Sequence, residues 1–333
     1  MTNWIESNKP ALVLAPMEGV TDSPMRALYS ERGGFNFCVA EFLRISHELL
    51  PPEVYLRHVP ELETDCKTPS GMPVQIQLLG GDPELMAASA ARAFDLGARA
   101  VDINFGCPAP LVNRHDGGAA LLKCPERIKK IVEAVRQALP SEIPVSAKLR
   151  LGWDNVDSIF LNASMAALGG ASWITIHART KAQGYAPPVN WKVVGDVRKT
   201  LDIPVVANGD IWTFNDFLRC LDETGCRHFM LGRGAMADPS LASAIARELG
   251  ISSKGQVSET AADSLNGRVS HWMPLLKRFA VLCEPVSTSP SYVVCRIKQW
   301  LKMAAHKNSI TWFDQIKTAK TVDEIWKILE TQA

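Results

Sequence analysis

The feature that most constrains this chain is a repeating alternation. Short β-rich apolar runs recur at residues 11–15, 37–41, 74–79, 100–104, 145–150, 173–177, 205–208 and 228–232. Between them lie stretches with helical spacing or helix starts, including 82–96, 125–139, 156–168, 191–200, 213–223 and 239–249. Two strand entries read Ile-Pro-Val (Ile143-Pro144-Val145 and Ile203-Pro204-Val205). Proline at the first residue of a strand removes no ladder donor. Eight strands each followed by a helix, within about 240 residues, predict an α/β fold of the (β/α)8 TIM-barrel type. A doubly wound sheet is the alternative, and eight regular units favour closure.

The alternation stops after Gly250. Residues 251–266 are polar and Ser/Gly-rich, as a linker would be, and the pattern beyond is helical only. In 292–307, Val293, Ile297, Trp300, Leu301 and Ala304 fall on one face, Lys298 and Lys302 point away, and Arg296 lies at the border. The expected organisation is a catalytic barrel over 1–250 and a small helical domain over 251–333. Charge divides along the same line. Residues 250–333 hold 11 Lys/Arg against 7 Asp/Glu, and residues 1–249 hold 25 against 28. A basic tail on a mildly acidic body points weakly to an anionic partner; an incidental imbalance explains it equally well.

The eight cysteines are scattered, without a C-x-x-C pair or a cluster with histidine, so neither zinc nor an iron–sulfur site is expected. The polar N-terminus lacks a signal-peptide profile, and no apolar run approaches roughly 18 residues. A reduced, cytoplasmic protein with no membrane association is the natural expectation.

One cysteine stands apart. Val101-Asp102-Ile103-Asn104-Phe105-Gly106-Cys107-Pro108 reads as a strand end broken by Gly-Cys-Pro, because glycine permits the turn and proline cannot continue the ladder. A barrel does its chemistry where strand gives way to loop. The other strand ends carry polar residues too. They are Pro16-Met17-Glu18-Gly19, Glu41, Gln77, Asn104, Lys148 with Arg150, His177 with Arg179, Asn208-Gly209-Asp210 and Gly232-Arg233-Gly234. In a barrel all converge on one rim. Gln77 or His177 alone is more often a satisfied core group than a ligand. Lys148, inside Val145-Ser146-Ala147-Lys148-Leu149, is harder to dismiss, since a buried lysine needs a partner.

The Asn208-Gly209 and Gly232-Arg233-Gly234 turns suit a phosphate, which barrels hold after their last two strands, and Arg233 adds a charge-assisted contact. Gly232-Arg-Gly-Ala-Met-Ala also fits the loose dinucleotide pattern, but it follows the eighth strand of a series rather than the first of a βαβ unit. With a lysine and a histidine at the barrel mouth, this resembles a flavin mononucleotide site. A nicotinamide cofactor would then visit rather than reside. An unperturbed thiol stays protonated at neutral pH, so Cys107 is suited to general acid catalysis beside a hydride donor. A nucleophilic role would need a base, and His115 is the one local candidate.

Taken in order, these motifs resemble the signature of the tRNA-dihydrouridine synthases. The matches are Ala15-Pro-Met-Glu-Gly-Val-Thr-Asp22, Gln75-Ile-Gln-Leu78, Val101–Pro108 with Gly118-Ala119, and Lys148-Leu-Arg-Leu-Gly152. They continue through His177-Ala-Arg-Thr180 with Gln183-Gly-Tyr185, Ala207-Asn-Gly-Asp-Ile211 and Leu231-Gly-Arg-Gly-Ala235. Gln183-Gly-Tyr185 and Arg296-Ile-Lys-Gln-Trp-Leu301 are most similar to the bacterial C-type enzymes. The resemblance implies an FMN-containing barrel, a helical tRNA-binding tail, and reduction by NADPH. It implies reduction of a D-loop uridine at its 5,6 double bond, at position 16, with hydride to C6 and a proton from Cys107 to C5. FMN contacts carry over to Pro16, Met17, Gln77, Lys148, His177, Asn208, Gly209, Asp210, Gly232 and Arg233. Asn104, Arg150 and Tyr185 would hold the flipped uracil, and Arg296, Lys298 and Lys302 would meet tRNA, the lysines through phosphates. A monomer without a stable protein partner is expected. The chain departs from the family at Pro110 and Leu111, where a lysine is usual; Arg114 is the nearby replacement. Two other readings stay open. One is a barrel dehydrogenase of free bases, which would have no use for the basic tail. The other is a tRNA-binding module without catalysis, which would have no use for Cys107, Lys148 and the phosphate turns.

Overall fold

Eight parallel strands close on one another in chain order. They are β1 (Ala11–Leu14), β2 (Phe37–Arg44), β3 (Val74–Leu79), β4 (Val101–Asn104), β5 (Val145–Arg150), β6 (Trp173–His177), β7 (Val205–Asn208) and β8 (His228–Leu231). The computed structural model describes residues 4–114, 116–251, 268–287, 289–306 and 310–332. The predicted linker at 251–266 and His115 therefore lie, Ile251 apart, outside the described residues. β2 runs past its expected end, and its register against β3 shifts between Val39 and Phe42. Such an irregularity bends a strand and re-aims its side chains.

Residue parity divides each strand. Ile76, Leu78, Val101, Ile103, Val145, Ala147, Leu149, Ile174 and Ile176 belong to the core between barrel and helices. The alternate residues point inward. At the amino-terminal end the lumen is filled by Trp4, Phe37 and Trp173, packed edge to face with centroids 5.0 and 6.0 Å apart. Above this plug many of the inward residues are polar: Gln75 and Gln77, Asp102 and Asn104, Ser146 and Lys148, His177 and Asn208. A polar layer inside a barrel needs either mutual hydrogen bonds or a ligand, and both have a part below.

Some of the outer helices start on polar caps. Asp22 caps Ser23–Arg32, Asp82 caps Pro83–Asp95, and Thr213 forms a capping box with Asp216 at Phe214–Thr224. Several short elements escaped the sequence pattern, because four to six residues carry no period. They are the turns of helix at Pro60–Thr64, Pro110–Asn113, Gly118–Lys123 and Arg233–Ala237.

Beyond residue 268 the described elements are helical: Val269–Cys283, Pro290–His306, Phe313–Ile316 and Val322–Glu330. Val269–Cys283 lies on Ser23–Arg32, and Pro290–His306 on Arg233–Ala237. Trp300 is buried in this joint. Its ring meets Trp272 and Phe279, and its Nε1 donates to the Met236 carbonyl at 3.0 Å. The apolar face expected for 292–307 is the one buried. Among the described residues no helix is long and apolar enough to cross a membrane.

Candidate active site

At the carboxyl ends of the strands the polar layer opens into a cavity of about 410 Å³, within the range of small-ligand sites. Pro16, Met17, Gln77, Lys148, His177, Asn208, Gly209, Asp210, Gly232 and Arg233 line it, and so do Asn104, Cys107, Arg150 and Tyr185. Residues more than 200 positions apart thus share one wall.

Cys107 is half-buried and free. Its backbone is held on both sides. The N–H groups of Gly106 and Cys107 donate to Asn104 Oδ1, each at 2.9 Å, and the Cys107 carbonyl accepts from the Ala119 N–H at 3.1 Å. Gly118 is tied to this geometry. Its φ is +58°, and a Cβ there would stand 2.9 Å from the Cys107 carbonyl oxygen. Burial raises the thiol above its ordinary value, against the pull of a backbone N–H and of Arg150. The sulfur therefore keeps its proton at neutral pH.

Beside it, on the neighbouring strand, stand two cations. Lys148 Nζ donates to Asn208 Oδ1 at 3.4 Å. Burial, and then the charge of Arg150, push it down to about 8 against the pull of Asp102. Asp102 is itself raised by burial, against the hydrogen bonds of Ser146 and Gln77 and the charge of Lys148. His177 is held well below its usual range by burial and by Arg150, Lys148, Arg179 and Arg233, and is neutral. Its Nδ1 is buried with no protein partner. Arg150 Nε donates to the Gly106 carbonyl at 2.9 Å, and its Nη1 to the carbonyls of Thr180 and Gly184 at 3.0 and 2.7 Å. One guanidinium thus ties the loop after β4 to the loop after β6. The other wall is acidic: burial, then Asp22 and Glu18, push Glu41 up to about 7.

The last two strands end in a braced turn. Gly209 has φ +116° and its carbonyl accepts from Trp191 Nε1 at 2.9 Å. Asp210 pairs with Arg179 and, at 2.9 Å, with Arg233. Burial pushes the Asp210 carboxyl up, but Arg179 and then Arg233 prevail and hold it below its ordinary value. The Arg233 guanidinium lies 4.4 Å from the Tyr185 ring centroid and 4.9 Å from that of Trp212, so it is fixed in place. At Gly234 a Cβ would stand 1.9 Å from the Ile211 carbonyl oxygen, so only glycine fits. In the first turn of Arg233–Ala237 the N–H groups of Ala235 and Met236 donate back to the Gly232 carbonyl, at 3.0 and 3.4 Å.

Three expectations meet a different geometry. Arg296, assigned to substrate, is turned into the protein. It pairs with Asp22 at 2.7 Å and donates to the carbonyls of Gly19 and Val20 at 2.7 and 2.8 Å. A helical wheel puts it at a border, and only the tertiary fold supplies partners from the loop after β1. Lys298 leans onto the Ala319 carbonyl, while Lys302 is exposed. Asn104 has both side-chain atoms engaged, since its Nδ2 donates to Gln77 Oε1 at 2.9 Å. At the family departure, Leu111 is exposed with its carbonyl accepting from Arg44 at 3.3 Å, and Arg114 is exposed. Some lining residues were not anticipated, Met303 and Trp212 among them. Met303 reaches in from the helical tail, and Trp212 stands beside Arg233. No local pattern marks them. Asp102 was legible only as one inward position of an alternating strand.

A dihydrouridine synthase family model matches residues 13–320. Curated relatives named tRNA-dihydrouridine(16) synthase include those of Neisseria meningitidis serogroup A (42% identical, 96% of this chain and 94% of that one) and Haemophilus influenzae (42%, covering 94% and 97%). The Pseudomonas putida protein of the same name is 38% identical over 97% of both chains. Among solved structures, histamine dehydrogenase from Rhizobium sp. 4-9 shares the fold at a TM-score of 0.55 and 14% identity, over 72% of this chain and 46% of that one.

Proposed function

The chain belongs to the dihydrouridine synthase family, and from that premise we propose that it reduces the 5,6 double bond of a D-loop uridine of tRNA, at position 16, to dihydrouridine. The observation that carries the reading is the convergence, on one cavity, of a protonated thiol and a set of cations from β5 and from the end of β8.

The cavity's residues fit a flavin mononucleotide. The partnerless Nδ1 of His177 and the ammonium of Lys148 offer polar atoms to a heterocycle's edge. Met17 and Gly232 form a tight wall, where a Cβ on Gly232 would stand 3.2 Å from the Met17 sulfur. Pro16, Gln77 and Asn208 complete the surround. Gly209, the first turn of Arg233–Ala237 and the fixed guanidinium of Arg233 suit a phosphate, while Asp210 holds that guanidinium in place. FMN, when bound, supplies the hydride that reaches C6, with NADPH as the source of electrons.

Cys107 gives its proton to C5 and is left as a thiolate, which regains a proton from water. The raised thiol value holds the proton on sulfur until C5 becomes basic. Lys148 and Arg150 favour negative charge gathering at the site. Tyr185, exposed at the mouth, offers a ring face to a base that has left its stack, which loop bases do cheaply. Asn104 serves this reading through the placement of Cys107. Lys302 meets tRNA phosphates, and the helices after residue 268 form the tRNA-binding part of a cytoplasmic monomer.

The test is an anaerobic one. Flavin-loaded protein is reduced with limiting NADPH, then mixed with tRNA lacking dihydrouridine. Reoxidation of the flavin by tRNA, and not by free uracil or orotate, is the expected result. Reoxidation by the free base alone would overturn the reading.

A further inference from the structure

A run of buried hydrogen bonds links the middle of the barrel to the Cys107 loop. Asp102, on β4, accepts from Ser146 Oγ at 2.5 Å and from Gln77 Nε2 at 2.6 Å. Gln75 Nε2 donates to that same Ser146 Oγ at 2.9 Å, on the far side. Gln77 Oε1 then accepts from Asn104 Nδ2, and Asn104 Oδ1 accepts from the N–H groups of Gly106 and Cys107. Asp102, Gln77 and Ser146 are at most 2% exposed and Asn104 8%, so bulk water has little access to a broken link.

The direction of each link follows from the one before. Asp102 accepts on both oxygens, Oδ1 from the Ser146 hydroxyl and Oδ2 from the Gln77 amide, and a carboxylate has no hydrogen to give. Gln77 must therefore turn its amide nitrogen toward Asp102, which leaves its oxygen facing Asn104. Asn104 must then turn its own nitrogen toward Gln77, which leaves its oxygen facing the loop. Only in that orientation can Asn104 take two backbone N–H groups at once. Reversed, it would aim an NH2 at two donors.

We propose that Asp102 is the positioning residue for Cys107: a buried acceptor-only anchor whose polarity, passed through Gln77 and Asn104, fixes the turn that carries the proton donor. The substrate never meets it. The inference rests on the reading of Cys107 as the acid, but the chain of bonds can be judged without it.

The test swaps the acid along the chain in the flavin-loaded protein. Asp102→Asn removes the one-way anchor. Asn104→Asp gives the loop an acceptor but sets it against Gln77 Oε1. The double variant Asp102→Asn/Asn104→Asp restores a consistent run in reverse: the new carboxylate at position 104 accepts from the loop and from Gln77 Nε2, and Gln77 Oε1 accepts from the new amide at position 102. Amide hydrogen exchange of Gly106 and Cys107 is measured, together with the rate at which iodoacetamide alkylates Cys107.

Each single variant is expected to speed exchange at those two amides by about tenfold or more, the factor that follows from losing one net hydrogen bond of about 1.5 kcal/mol. The double variant is expected to return to within a few-fold of the parent. In single turnovers, Asp102→Asn is expected to slow uridine reduction by about tenfold to a hundredfold, a larger loss than any in flavin reduction by NADPH. Unchanged loop exchange in Asp102→Asn overturns the proposal, and so does a double variant no better than the singles. If Asp102→Asn does not accumulate as folded protein, recovery of folded protein in the double variant supports the proposal and continued failure overturns it. A parent protein inactive on tRNA would remove the catalytic reading and leave the exchange result standing.

Discussion

Replacing Arg296 with alanine separates two roles for this guanidinium. In the structure it joins helix Pro290–His306 to the loop after β1, which lines the cavity through Pro16, Met17 and Glu18. Truncation leaves Asp22 without its cation and the Val20 carbonyl without its donor. A fully buried pair broken on one side costs about 3–5 kcal/mol. Here Asp22 is 21% exposed, keeps the Tyr292 hydroxyl at 3.0 Å and still caps the Met25 N–H. Gly19 is exposed, so water can reach its carbonyl. The cost is therefore about 3 kcal/mol, at the lower end of that range. With an unfolding entropy of roughly 2.1 cal/mol/K for each of 333 residues, about 0.7 kcal/mol/K in all, the midpoint should fall by about 4 °C if the chain unfolds as one unit. Calorimetry of the flavin-free protein reads this directly. Arg296→Lys should recover less than half of it, because an ammonium cannot reach a carboxylate and two carbonyls in a fork. tRNA affinity, measured at two salt concentrations on the same samples, supplies the refutation. An unshifted midpoint with a large loss of affinity and a shallower salt slope would mean that the guanidinium meets RNA.

Three further outcomes follow from the site. Cys107→Ala should retain flavin and its reduction by NADPH and slow single-turnover uridine reduction by about 10²–10⁴-fold; an undiminished rate removes the acid role. Lys148, pushed down to about 8 before an anionic cofactor arrives, should regain a higher value once one is bound. The bound form holds the proton more tightly, so FMN affinity should be full below pH 8 and fall as pH rises above it. Calorimetric titration at pH 9 in buffers of different ionisation enthalpy should show proton uptake, and pH-independent affinity without uptake would contradict the assignment. Lys302→Ala should weaken tRNA binding and reduce the salt slope by about one, whereas Lys298→Ala should act mainly on the packing at Ala319, seen as a lower midpoint with an unchanged slope.

The barrel was legible because eight strands repeat one local pattern and the chain visits them in order. Lys148 was legible because an ammonium inside an apolar strand has no cheap explanation. What remained hidden depends on contacts between distant residues. Asp102 meets Ser146 and Gln77 only because β3, β4 and β5 lie side by side in a particular register. Arg296 finds its partners some 270 positions away. The short helices at Pro110–Asn113 and Arg233–Ala237 are set by a proline and by a backbone approach at Gly234, not by any period. For Asn104, sequence resemblance pointed to the substrate, while the structure shows its amide holding the turn beneath the thiol.

The most direct test of the account is to map by mass spectrometry a tRNA lacking dihydrouridine, before and after incubation with the flavin-loaded protein and NADPH. The account predicts a gain of two hydrogens at a single D-loop uridine, at position 16. No gain, with flavin bound and NADPH consumed, would contradict it and turn attention to free bases, and a gain at another uridine would contradict the assigned position.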